Sequence, residues 1–260
     1  MELRTHTLMA LSVSLAVLVP QAAGAQAGAV AVSQAETLLF ETDHLAHVQT
    51  PAVLVYDFRK VSNVEQGFSD KVSLDVASKR GKTNATLHFL SGAHKHDVPA
   101  VESAHGNPVL LGFLERDIAE MKRLTGGSTA YFRKRIRMAL AEGAEVSKQT
   151  ITYQGKTLPA QSIRIQPYLD DPMHARFEPY VHKTYVFVVS EQVPGGVYQL
   201  RSSLANQGGA TVAARTAAIA AARDAPAGKP AADAAQGKPG AALPAIDETL
   251  TLVSVARPKR

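Results

Sequence analysis

Cysteine is absent from all 260 residues, and so is tryptophan. Without a thiol the chain can form no disulfide, no thiolate metal site and no cysteine nucleophile, and it has no N-terminal cysteine to carry the acyl chains of a bacterial lipoprotein. Long apolar runs are missing too. The longest, Leu8 to Val19, falls short of the roughly 20 residues a membrane-spanning helix needs. No Gly-x-Ser-x-Gly elbow and no phosphate-binding Gly-x-x-x-x-Gly-Lys-Ser/Thr loop occurs. No catalytic residues are therefore assigned, and the leading reading is non-enzymatic. The charge excess is small, 28 Lys and Arg against 23 Asp and Glu, and comes with no nucleic-acid-binding motif, so nucleic acid is not an expected partner.

What is present begins with an address. Arg4 and His6 precede the apolar run, Pro20 breaks it, and Ala23, Gly24 and Ala25 offer a small-residue cleavage site before Gln26. This three-part pattern is that of a secretory signal peptide. Residues 1–25 are read as that signal, cleaved near Ala25, and 26–32 as a disordered start. Export without cysteine suits a bacterial periplasm. The expected product is a periplasmic protein that does not span the membrane.

The body, 33–256, reads as a single β-rich domain. Leu38, Leu39, Leu45 and Val48 can share the face of a short helix. From Pro51 onward, period-two alternation marks strands with one buried face: Leu54, Tyr56 and Phe58; then Val72, Leu74 and Val76; then Ala85, Leu87 and Phe89. Asn107 and Pro108 open a helix as N-cap and first residue. Leu110, Leu114, Ile118 and Met121 form its apolar stripe, and Gly126 ends it. Ser128 caps a second helix, with Phe132, Ile136 and Leu140 on one side and Gly143 at its end. The result is a helical hairpin, about 108–143, inserted among strands. Strand patterns resume at 146–153 and 157–165 around a Gln154-Gly155-Lys156 turn, and again at 185–189 and 197–204. Ala, Gly and Pro fill 27 of the 42 residues from 205 to 246. Such a composition cannot bury enough apolar surface to offset its ordering entropy. It reads as a low-complexity loop before a returning strand, Glu248 to Ala256, with Leu250, Leu252 and Ser254 on one side. The fold class expected is α+β, β-rich: a curved antiparallel sheet or open barrel carrying the helical hairpin.

Three features point towards chemistry. His94, His96 and His105 share one loop, and imidazoles are competent zinc or copper ligands. Metal binding through that loop is the alternative to a protein without cofactors. Arg133, Lys134, Arg135 and Arg137 give the second helix a basic face, suited to solvent, to anionic lipid headgroups or to an acidic partner. Asp170 and Asp171 before Pro172 read as a turn.

The segment Tyr185-Val-Phe-Val-Val-Ser-Glu-Gln-Val-Pro-Gly-Gly-Val-Tyr-Gln-Leu200 is similar to a late hairpin of exported proteins, and the order of elements over about 50–204 resembles the lipoprotein-carrier type, the LolA and LolB family. That resemblance implies an open, strongly curved sheet whose concave face is covered by helices and holds acyl chains. It implies an apolar or amphiphilic ligand such as a lipid, or an envelope protein partner. The residues placed to meet that ligand are Leu110, Leu114, Ile118 and Met121 of the helix stripe, with Tyr185 and Phe187 on the facing strand.

Overall fold

The computed structural model describes residues 31–204 and 244–257. The segments read from the sequence as a signal peptide, 1–25, and as most of a disordered start, 26–30, lie outside the described residues, as does the low-complexity block up to 243. Among the described residues, nine strands form one open, curved antiparallel sheet: β1 Ala52–Ser62, β2 Phe68–Lys79, β3 Lys82–Phe89, β4 His96–Asp97, β5 Glu145–Tyr153, β6 Lys156–Ile165, β7 Thr184–Val189, β8 Val197–Leu204 and β9 Ile246–Ala256. Their order is β4-β3-β2-β1-β9-β8-β7-β6-β5. Two meanders, β1–β4 and β5–β8, are thus separated in sequence by the helices and joined in space by the last strand. β9 runs antiparallel to both neighbours, pairing Leu250 with Phe58 on one side and with Leu200 on the other. Without it, the facing edges of β1 and β8 would leave their backbone groups unpaired.

The alternation read from the sequence is the burial pattern of the strands. Leu54, Tyr56 and Phe58, then Val72, Leu74 and Val76, then Leu87 and Phe89 all point into the core. Two details differ from the expectation. The last strand starts at Ile246, so it takes in the end of the segment read as loop. Its alternation also breaks at a bulge opposite Val55 and Tyr56: Leu252 faces Tyr56, Ser254 faces Val55 and Val255 faces Leu54. The bulge inserts one residue, so Val255, and not Ser254, continues the buried side.

The helices cover one face. α2, Pro108–Thr125, begins at Asn107, whose Oδ1 accepts from Val109 N–H, and ends at Gly126 in the left-handed conformation. α3, Thr129–Glu142, is capped by Ser128 Oγ on Tyr131 N–H. α2 lies against β3 at Gly112, where a Cβ would stand 2.6 Å from Leu87 Cδ2 and 2.9 Å from Phe89 Cδ2. A missing side chain sets the depth to which this helix sinks. The short helix foreseen near residue 38 is α1, Gln34–Glu36, extended by a single π-turn, Thr37–Glu41. Ser33 and Glu36 cap it reciprocally. The helix is shorter than the shared face expected of it: Leu39 is buried on it and Leu38 half-buried, whereas Leu45 and Val48 are buried from the turn that follows Glu41.

Candidate ligand-binding site

All six residues placed against a ligand are buried in the core between helices and sheet. Of these, Leu110 also lines a surface cavity of about 280 Å³ at the start of α2. Its apolar walls also include Leu39 and Phe40 of the π-turn, Val101 and Ala104 of the β4–α2 connection, and Pro108 and Leu111 of the helix, while Ser103, His105, Gly106 and Asn107 of the same connection complete the lining. Three of these side chains are large, apolar and open to solvent: Leu111 at 54%, Phe40 at 40% and Val101 at 37%. Scattered exposed apolar residues are ordinary, but three around one cavity form a patch. Leu114, Ile118, Met121, Tyr185 and Phe187 do not line it.

Deeper along the same helix the interface changes character. Asp117, on α2, is buried, and its Oδ1 accepts from Lys183 Nζ at 2.6 Å and from Ser202 Oγ at 2.9 Å. Its Oδ2 accepts from Tyr185 Oη at 2.6 Å, and Tyr168 Oη lies 3.2 Å from the same phenol. Burial, and then the Asp117 charge, push the Tyr185 hydroxyl well above the usual tyrosine range, so it serves as a donor. Beside it, Glu248 of β9 is buried between Nη1 of the preceding helix residue, Arg116, at 2.6 Å and Lys60 Nζ at 3.1 Å. Lys60 also meets Glu65 at 2.6 Å and Glu120 at 3.4 Å. Burial works to lower the Lys60 pKa, yet these three carboxylates together raise it. The Arg116 guanidinium sits 4.8 Å above the Phe58 ring centre. Lysine, tyrosine, serine and aspartate can move protons in other settings. Here each polar atom is occupied by its neighbours, and the arrangement fixes helix to sheet.

Sequence reasoning missed this network, although a signal was present. Lys60 continues the inward alternation of Tyr56 and Phe58, Glu248 that of Leu250 and Leu252, Ser202 that of Leu200 and Leu204, and Lys183 that of Tyr185 and Phe187. Polar residues at inward parity of four strands marked buried partners for a charged helix face.

The histidine loop does not assemble. His94 stacks on Phe68 with ring centres 3.7 Å apart, His96 meets Phe89 edge-on, and His105 Nδ1 lies 3.1 Å from Asp43 Oδ2. Among the described residues no group of three or more His, Asp or Glu is placed to hold a metal. The basic face of α3 is partly consumed. Arg133 is paired with Glu115 of α2 at 2.6 Å, and Arg135 Nε reaches Asp171 at 2.9 Å. Asp171 does lie in a turn, but it is also buried, accepting from Tyr131 Oη and, at 2.7 Å, from Met173 N–H. Lys134 and Arg137 are left exposed.

The Val-Pro-Gly-Gly turn of the late hairpin is a structural clasp. Gly195 and Gly196 take φ of 76° and 69°, a region that disfavours side chains. A Cβ on Gly195 would collide with Leu54 at 2.3 Å, and one on Gly196 with the His44 ring at 2.6 Å. Asn107 Nδ2 donates to Gly195 O at 2.7 Å and to Tyr56 Oη at 3.0 Å. The buried His44 accepts the Asn107 N–H at Nδ1 (3.3 Å) and donates from Nε2 to Leu38 O at 2.9 Å. Burial holds its pKa below the ordinary 6.5, and neither ring nitrogen has room for a further proton. One histidine thereby ties the α1 segment, the start of α2 and the hairpin turn.

No helix among the described residues is long and apolar enough to cross a membrane. No protein-family model and no curated protein matches the chain. Among solved structures, the chain is similar to the lipoprotein LppX of Mycobacterium tuberculosis at 9% identity, over 81% of this chain and 88% of that one, with a TM-score of 0.30.

Proposed function

We propose that this chain is a non-enzymatic periplasmic protein that binds an apolar or amphiphilic ligand at the start of α2. The observation that carries the reading is the cavity whose rim exposes Phe40, Val101 and Leu111 together and whose wall includes Leu110, the first residue of the buried stripe. An apolar chain entering there would meet Leu110 and then displace or thread beside Leu114, with Ile118, Met121, Tyr185 and Phe187 as the deeper wall. The periplasmic address is supported by the Leu8–Val19 run and the Ala-Gly-Ala site ahead of Gln26.

Titration of the purified protein with dodecanoate by calorimetry tests the binding. Leu111→Ser and Phe40→Ser should each weaken uptake several-fold, while the exposure of both positions keeps the melting temperature within a few degrees of the parent. If no lipid probe is taken up by the parent protein, the ligand reading fails and an envelope partner becomes the better one. N-terminal sequencing of the exported protein tests the address. A chain that keeps Leu8–Val19 would overturn it.

A further inference from the structure

The α1 segment has a second cavity on its other side. It measures about 260 Å³ and is bounded by residues 38–47, the end of β7 and the Val-Pro-Gly-Gly turn. Its buried walls are apolar or neutral: Val189, Val193, the two turn glycines, His44, and Ser190, whose hydroxyl is spent on Pro159 O at 2.7 Å. Leu38, half-buried, completes them. Its exposed rim carries Asp43, His47 and Glu191, with the half-buried Gln161 between wall and rim. No Lys or Arg lines it, although the chain as a whole carries a net charge of +5. Among the described residues no ion pair or side-chain hydrogen bond engages Glu191, Gln161 or His47, and Asp43 is shared with His105 on the far side of the segment.

We propose that this cavity binds a small organic cation, an ammonium group on a short apolar body, with Glu191 and Asp43 meeting the charge and Leu38, Val189 and Val193 receiving the body. The site is distinct from the apolar cavity and does not rest on the lipid reading. Its chemistry follows from three independent features. The carboxylates set the sign of the ligand. The free Gln161 amide offers an oxygen to an ammonium N–H. The apolar wall repays the burial of a hydrocarbon body but would not repay that of a polyhydroxylated one. The neutral His44 in the wall adds no repulsion, because both its ring nitrogens are occupied by Asn107 and Leu38. The other titratable groups at hand are His47 on the rim, Tyr56 beneath Asn107, and His105 beyond Asp43.

The experiment uses the full chain and three probes of one shape, benzylammonium, benzyl alcohol and benzoate, followed by backbone amide shifts. Benzylammonium should saturate with shifts concentrated at Val189 to Gly196, benzyl alcohol should bind on the order of fivefold more weakly, and benzoate should not bind. Glu191→Gln should reduce benzylammonium affinity most of the way to that of the alcohol, Asp43 keeping the remainder. Glu191 is exposed and unpaired, so the variant should melt with the parent. Raising the salt concentration should weaken benzylammonium alone. Equal binding of all three probes, shifts confined to other parts of the protein, or unchanged affinity in Glu191→Gln would each overturn the proposal. Loss of dodecanoate uptake with benzylammonium binding intact would strike the lipid reading and leave this one standing.

Discussion

The two halves of α2 meet the same sheet by opposite means. At its start Leu110, Phe113 and Leu114 are buried around Gly112, which lies against Leu87 and Phe89. One turn further, Arg116 and Asp117 enter the interface as charges, each met by a buried partner on the sheet. Apolar contact is non-directional and tolerates a guest. A buried ion pair is directional, and separating it strands a charge in a low-dielectric interior. The charged contacts of the second half, set among the buried Ile118 and Met121, therefore pin the helix in rotation and position more firmly than the apolar contacts of the first.

That contrast is sharpest in the variants that remove one partner. Asp117→Ala leaves Lys183 buried without a counter-charge, Ser202 without its acceptor and Tyr185 with only the Tyr168 phenol to bond, and should cost about 3–5 kcal/mol. Chemical denaturation measures it. A loss below about 1 kcal/mol would mean that water reaches the pocket and that the two halves do not differ. Leu114→Ala, in the apolar half, separates a permanent core from a lid. A closed core predicts about 2–5 kcal/mol. A lid over a ligand space predicts a much smaller stability loss together with weaker dodecanoate binding.

The clasp at His44 adds a pH dependence. Its folded pKa lies below the ordinary 6.5, so the unfolded chain takes up the proton first as pH falls. The stability contributed by the neutral ring is whole above 6.5 and drains away as pH drops from there through the lowered folded value. Denaturation midpoints should decline as the pH falls below about 6.5, with a smaller slope in His44→Gln, which keeps an uncharged side chain there. An identical slope in both proteins would place the titrating group elsewhere. The smallest effect is expected at the surface. Arg133→Ala removes a pair with Glu115 in which both side chains are well exposed, and should change stability by less than about 1 kcal/mol. A larger loss would show that α2 and α3 are held together by charge as well as by packing.

Much of the fold was readable because local periodicity reports local burial. The strand faces of β1, β2 and β3, the Asn107-Pro108 start, the glycine stops and the Ser128 cap all follow from a few neighbouring residues whose preferences agree with the final structure. The site was less readable. The exposed trio Phe40, Val101 and Leu111 comes from three separate segments, and nothing in the spacing of those residues brings them to one rim. His94, His96 and His105 show the converse: closeness in sequence, with each ring taken by a different neighbour.

The sequence by itself determined most of the strands and the two long helices, most of their inward faces, and that a last strand returns after the low-complexity block. Those properties are set by side chains within a few residues of one another. Only the tertiary structure decided that β9 lies between β1 and β8, that Asp117 and Glu248 find cations, and that the Val-Pro-Gly-Gly turn closes over His44. Each of these joins groups far apart along the chain. Their energies depend on distances below about 4 Å, which only the packed sheet and helices fix.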